Sequence, residues 1–130
     1  MTALPRIERI CRLSLAALWA YQGLVPKLLG PHPQELELAA SAGLPNEALV
    51  MASLLSGVIE LLLALALLVY RRAAWPYAVS TAAVVGLFLF VALVAPEHLG
   101  TPFNAVAVNG AWLVLGVVGW IACRGARPAD

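Results

Sequence analysis

Charged residues are scarce in this sequence. They make up 12% of its 130 residues, whereas 62% of the residues are hydrophobic. Soluble domains carry about 25% charged residues, and a soluble chain of this length cannot bury so large a share of apolar side chains. The composition therefore excludes an ordinary soluble domain and favours a protein whose solvent is the lipid bilayer. The length is enough for one domain.

Motifs for catalysis and for metal binding are also missing. The two cysteines, Cys11 and Cys123, are too few for a disulfide framework and belong to no CxxC or zinc-binding spacing. We find no catalytic triad, no phosphate-binding loop, no paired-histidine motif and no basic run interleaved with aromatic residues. We therefore expect no catalytic activity of the chain on its own, no metal site, no required cofactor and no nucleic-acid partner.

The sequence has, instead, four long apolar stretches, at about residues 7–29, 47–70, 74–95 and 102–123. Each is near the roughly 20 residues that a helix needs to cross the hydrocarbon core. Their richness in alanine and leucine favours helices over buried strands. We predict an all-α fold, an integral membrane four-helix bundle that forms a single transmembrane domain over residues 1–130.

The connection between the first and second stretches is the longest one. Within it Leu36, Ala39 and Ala40 recur at helical spacing, while Glu35 and Glu37 fall mostly on other sides. This pattern predicts a short amphipathic helix that lies on the membrane surface. An ordinary ordered loop is the alternative.

Basic residues are distributed unevenly between the two sides of such a bundle. Lys27 is on one side, and seven arginines share the side of the termini: Arg6, Arg9, Arg12, Arg71, Arg72, Arg124 and Arg127. Because cytoplasmic segments carry an excess of Lys and Arg, both termini should face the cytoplasm. Arg9 and Arg12 should extend their side chains to the headgroups. A structural disulfide is not expected on this reducing side, although a redox pair of Cys11 and Cys123 stays open.

Glu60 is the most informative polar residue, since its position in the second stretch places it near the middle of the membrane. An ionised side chain at that depth costs at least about 2.5–3.5 kcal/mol, so an intramembrane acid indicates a functional site. The alternative is a structural glutamate that joins helices by hydrogen bonding. Ser53, Ser56 and Gly57 share its helix face, which favours an inward orientation.

Other polar residues fall at a similar depth or nearer the outer side. Gln22 and Asn109 both lie roughly 10–12 Å inside the outer boundary, alongside Ser53 and Ser56. Single buried amides often only join helices, so each has that alternative. Lys27 either extends outward or turns inward toward Glu60 or an anionic ligand. Asn104 either caps the fourth helix or lines the outer mouth of the bundle.

Several of these segments resemble one family of small bacterial membrane proteins, the DoxX-like family. The similar segments are Arg12-Leu13-Ser14, Trp19 through Leu28, Pro33-Gln34-Glu35-Leu36, Gly57-Val58-Ile59-Glu60, and Phe103-Asn104 followed by Asn109. The resemblance implies a four-helix membrane bundle in the bacterial inner membrane. It also implies a link to quinol or thiosulfate–quinone oxidoreductase systems. Family membership indicates a fold more firmly than a function.

The leading hypothesis is an accessory subunit of a membrane redox system that binds a quinone or another small apolar-bodied ligand. The residues predicted to bind it are Glu60, Lys27, Gln22, Asn109, Asn104, Ser56 and Ser53. A polar pocket of this kind needs only a few convergent polar groups. Two other functions remain open: a proton-coupled small-molecule transporter and a structural anchor for a soluble oxidoreductase. A homodimer is left open as well.

Overall fold

A computed structural model describes residues 3–101 and 105–126 of the chain. It contains five α-helices: α1 (Ala3–Gly23), α2 (Pro33–Ser41), α3 (Asn46–Val69), α4 (Trp75–Val94) and α5 (Ala105–Gly125). A π-helical turn (Leu24–Leu28) continues α1, and a 3-10 turn (Pro96–Gly100) follows α4. Because the described residues contain no strand, the all-α prediction is confirmed.

The boundaries of the first and last helices differ most from the sequence prediction or lie beyond its test. The first helix begins at Ala3 rather than near residue 7, although its first half is charged. The predicted start of the last helix at residue 102 lies outside the described residues. The connection between the first two long helices is helical, as α2, and packs against α3. The His32 side chain begins α2 by accepting a hydrogen bond of 3.2 Å from the Gln34 amide.

Three helices, α3, α4 and α5, are long and apolar enough to cross a membrane. α1 is as long as α5, but it has charged residues throughout its first half: Arg6, Glu8, Arg9 and Arg12. Three of the four predicted crossings therefore have support from length and apolarity in the part of the chain that the structure describes.

The core forms where α1 packs against α3 and α5, while α4 packs against α5. Leu15 and Leu67 are fully buried there. The indole N–H of Trp19 donates a hydrogen bond of 2.7 Å to the hydroxyl of Ser80, and its ring meets the Trp112 ring edge to face at 4.8 Å. These contacts give the buried indole a polar partner, which a tryptophan in an apolar core requires.

The contacts of Arg12 show which helix ends lie together. Its guanidinium reaches the end of α3 at Leu67, the start of α4 at Tyr77, and the end of α5 at Cys123. The beginning of α1 and the end of α5 therefore lie at the same end of the bundle. We call it the arginine end, since six arginines of the described residues belong to it: Arg6, Arg9, Arg12, Arg71, Arg72 and Arg124. The opposite end, which carries Lys27, is the lysine end.

The sequence prediction that Arg12 extends to the headgroups is wrong. Its side chain is buried and donates hydrogen bonds to the carbonyl oxygens of Leu67 at 2.6 Å and Tyr70 at 3.1 Å. Glu8 accepts another hydrogen bond at 2.5 Å, and the Tyr77 hydroxyl donates to Glu8 at 3.0 Å. The last carbonyls of a helix lack intrahelical partners and carry partial negative charge, so Arg12 stabilises the end of α3.

We predict that Arg12→Ala lowers the free energy of unfolding by about 3 kcal/mol, because it leaves Glu8 without its buried cation and the α3 carbonyls without donors. Arg9→Ala is the matched control, since Arg9 is an exposed arginine one turn away. Denaturation in mixed micelles, followed by circular dichroism, measures both. Equal stability of the two variants would contradict the structural role of Arg12.

Candidate functional site

The position of Lys27 depends on the π-helical turn that ends the first helix. Pro26 has no amide hydrogen, so the α-helical bond to the carbonyl of Gln22 cannot form. Just after the proline, the amide of Leu29 donates to the carbonyl of Leu24, five residues earlier, at 2.8 Å. This spacing is the hydrogen-bond pattern of a π-helix. Such turns shift side chains around the helix axis, and here the turn accompanies an inward Lys27 that is 4% exposed.

A close contact of two glycines brings the first helix against α3 beside Lys27. A methyl group placed on Gly23 would lie 2.6 Å from the carbonyl oxygen of Gly57, and one on Gly57 would lie 2.8 Å from that of Gly23. No side chain fits at either position without a shift of the backbone. Small residues of this kind allow helices to approach closely in lipid.

This contact places Lys27 beside Glu60 of α3. The Lys27 ammonium donates a hydrogen bond to Oε1 of Glu60, and its nitrogen lies 3.6 Å from Oε2 of Glu35 on α2. Of the two predicted orientations of Lys27, the inward one is therefore what the structure has. Glu60 is itself only 6% exposed, so the pair is buried on both sides. One cation between two carboxylates offsets much of the cost of burying these charges.

Glu35 connects this buried pair to Gln22. The Gln22 amide donates a hydrogen bond of 3.4 Å to Oε1 of Glu35, while the other carboxylate oxygen faces Lys27. Glu35 is absent from the binding residues predicted from the sequence, which treated it as part of a polar surface. Its place in the first turn of α2, within the segment that resembles the family, is the signal that could have indicated it.

A cavity of about 520 Å³ lies beside Glu35 at the lysine end. Its wall includes polar residues from four helical segments and apolar residues from the π-helical turn and from α4. Among the polar residues are Gln22 (α1), Glu35 (α2), His98 (3-10 turn) and Asn109 (α5), and among the apolar ones are Val25 and Val91. This volume is within the roughly 300–1,000 Å³ of small-molecule sites. Gln22 and Asn109, which the sequence analysis placed at a similar depth, both line this cavity.

The remaining predicted residues lie elsewhere. Ser56 donates a hydrogen bond of 2.9 Å to the backbone carbonyl of Ser53, within its own helix. Ser53 is buried, and neither its hydroxyl nor Oε2 of Glu60 has a hydrogen-bond partner among the described residues. Asn104 lies outside the described residues. The structure therefore groups Gln22 and Asn109 at the cavity and Lys27 and Glu60 in the bundle interior, with Glu35 between them.

A sequence model of the DoxX-like family matches residues 16–123. The chain belongs to the DoxX-like family. The resemblance that the sequence suggested is thereby confirmed, and it fits a membrane protein with the three apolar helices described above. No curated protein and no solved structure matches the chain. The matched segment of this DoxX-like chain contains Lys27, Glu35, Glu60 and the cavity, whereas Glu8 and Arg12 precede it.

We predict strong coupling between Lys27 and Glu60 in a double-mutant cycle. Lys27→Met and Glu60→Met should each lower the free energy of unfolding by about 3 kcal/mol, because each leaves a buried charge without its main partner. The double variant should be more stable than either single variant, since it removes both charges. Unfolding in mixed micelles measures all three.

Glu37→Met is the control for this cycle, because it makes the same kind of substitution as Glu60→Met at an exposed glutamate. Its stability should stay within about 0.5 kcal/mol of the original protein. Additive losses in the double variant would contradict the buried pair.

Proposed function

We propose that this DoxX-like protein is an accessory subunit of a membrane redox system and binds a small molecule with a quinone-like head at the lysine end. The observation that supports this function best is the cavity itself. It combines the side chains of Gln22 and Asn109 with Glu35, which contacts the buried Lys27–Glu60 pair. An apolar-bodied ligand fixed by a few convergent polar groups fits a cavity of this composition.

In this proposal the chain crosses the bilayer four times. Besides α3, α4 and α5, the later part of α1 and the π-helical turn form one more crossing, the first in chain order. Its two charged side chains, Arg12 and Lys27, are both paired inside the bundle. The arginine end faces the cytoplasm, because cytoplasmic segments carry the excess of basic residues. The lysine end and its cavity then face the outer side of a bacterial inner membrane.

We expect reporter fusions to show this orientation. Green fluorescent protein at the C-terminus should fluoresce, while alkaline phosphatase at the same place should be inactive, because the first folds in the cytoplasm and the second requires an oxidising compartment. Phosphatase inserted at Gly43, an exposed glycine between α2 and α3, should be active. The reverse pattern at either place would contradict the topology.

The ligand head would contact the cavity wall rather than Lys27. The sequence hypothesis counted both Lys27 and Glu60 among the residues that bind the ligand. With both residues buried against each other, Gln22 and Asn109 become the proposed donors. Glu35 lines the cavity and also lies 3.6 Å from Lys27, so it becomes the group that would exchange a proton with the ligand.

Binding of a benzoquinone with a decyl tail to the purified protein in nanodiscs tests this function. Gln22→Leu and Asn109→Leu should each weaken binding about tenfold, since each removes a hydrogen bond to the ligand head. Ser56→Ala should leave affinity unchanged, because that hydroxyl bonds to its own helix. No binding by the original protein, or full affinity in both leucine variants, would reject the proposal.

A proton-coupled transporter is the second candidate function. The chain of ionisable groups formed by Glu35, Lys27 and Glu60 favours it, because such chains serve as proton relays in membrane proteins. At the other end of the bundle, Arg12 is held in place by its hydrogen bonds to Glu8 and to backbone carbonyls, and this fixed cation argues for binding over transport. Uptake that depends on a pH gradient and on Glu60 in proteoliposomes would reverse this ranking.

A further inference from the structure

An apolar groove runs between α4 and α5 on the side of the bundle near Asn109. It encloses about 240 Å³, and its wall is formed mainly by Val85, Phe88, Leu89, Val106, Gly110 and Leu113. Asn109 is the one polar side chain that the described residues contribute to this wall. The α5 residues recur at helical spacing from Val106 to Leu113, so the groove follows the helix for roughly 10 Å.

The groove adjoins the polar cavity. Asn109 belongs to the wall of both. On α4, Val91 lines the cavity and Phe88 lines the groove, and these two residues are neighbours one turn apart. A single molecule could therefore occupy both spaces, with a polar part in the cavity and an apolar part in the groove.

The outer side of the groove opens on the surface of the bundle. Val85 is 41% exposed, Leu89 53% and Val106 49%. These residues belong to two helices that are long and apolar enough to cross a membrane. In a bilayer, this opening faces hydrocarbon rather than water.

We infer that the ligand carries a linear apolar tail, which lies in the groove between α4 and α5, and that it enters sideways from the lipid past Asn109. This inference rests on the proposed function and adds a ligand class to it. The molecule has a polar head of one-ring size and an aliphatic or prenyl tail. A tail-less head group would use the cavity alone and would lose the apolar contacts of the groove.

Gly110 offers a direct way to fill the groove. A methyl group placed on it would meet nothing within 4 Å, so the start of a side chain has open space at this position. Leucine is also a better helix former than glycine, and the variant should fold. Gly86 on α4 is the matched control, because a methyl group there also meets nothing within 4 Å and this glycine is outside the groove wall.

The experiment compares two probes on the full-length protein in nanodiscs: a tail-less benzoquinone and the same quinone with a decyl tail. The decyl form should bind at least about tenfold more tightly to the original protein. Gly110→Leu should reduce decyl binding to the tail-less level while leaving tail-less binding unchanged. Gly86→Leu should change neither, and Gly110→Ala should have a smaller effect than Gly110→Leu.

Several outcomes would overturn the inference while leaving the proposed function intact. They are equal affinity for both probes in the original protein, full decyl affinity in Gly110→Leu, or an equal loss for both probes in that variant. The last result would mean that the decyl tail still contributes its full affinity when the groove is filled. The tail would then lie elsewhere, and Gly110→Leu would act on the cavity. Failure of both probes to bind the original protein would reject the proposed function together with the inference.

Discussion

Lys27 carries a positive charge into the interior of a helical bundle where little water reaches it. An isolated ammonium group in such a place would lose several kcal/mol of hydration. Glu60 compensates this loss from α3, and the contact of Gly23 with Gly57 brings the two backbones close enough for the side chains to meet. The π-helical turn at Pro26 accompanies the inward direction of the lysine. Helix spacing, helix irregularity and charge pairing at this end are thus linked through one buried cation.

The two ends of the bundle use buried cations for different purposes. Arg12 donates hydrogen bonds to backbone carbonyls and to Glu8, and these bonds stabilise the end of α3. Lys27 instead lies between two carboxylates, one of which, Glu35, also faces a cavity. A guanidinium saturated by carbonyls stabilises structure, whereas a carboxylate shared by a cavity and a buried lysine can respond to a ligand. This difference locates the proposed function at the lysine end.

The level of a residue along its helix could be predicted from the sequence, whereas rotation about each helix axis could not. Counting residues from the helix ends placed Gln22 and Asn109 at one level, and both line the cavity. The direction of Lys27 stayed open, because the π-helical turn changes the rotation of the residues that follow it. Glu35 and Arg12 were missed for a different reason, since the contacts of each depend on where another helix lies. Polar patterning alone assigned both to a surface.

The buried lysine can be tested directly, because Lys27 is the one lysine in the chain. Protein grown with ¹⁵N-lysine and ¹³C-glutamate gives a single ammonium signal in solid-state NMR of bilayer samples. We expect strong dipolar coupling from this nitrogen to glutamate carboxyl carbons, slow exchange with water, and loss of the strongest coupling in Glu60→Gln. An ammonium signal that exchanges rapidly with bulk water and shows no coupling to any carboxyl carbon would contradict the account.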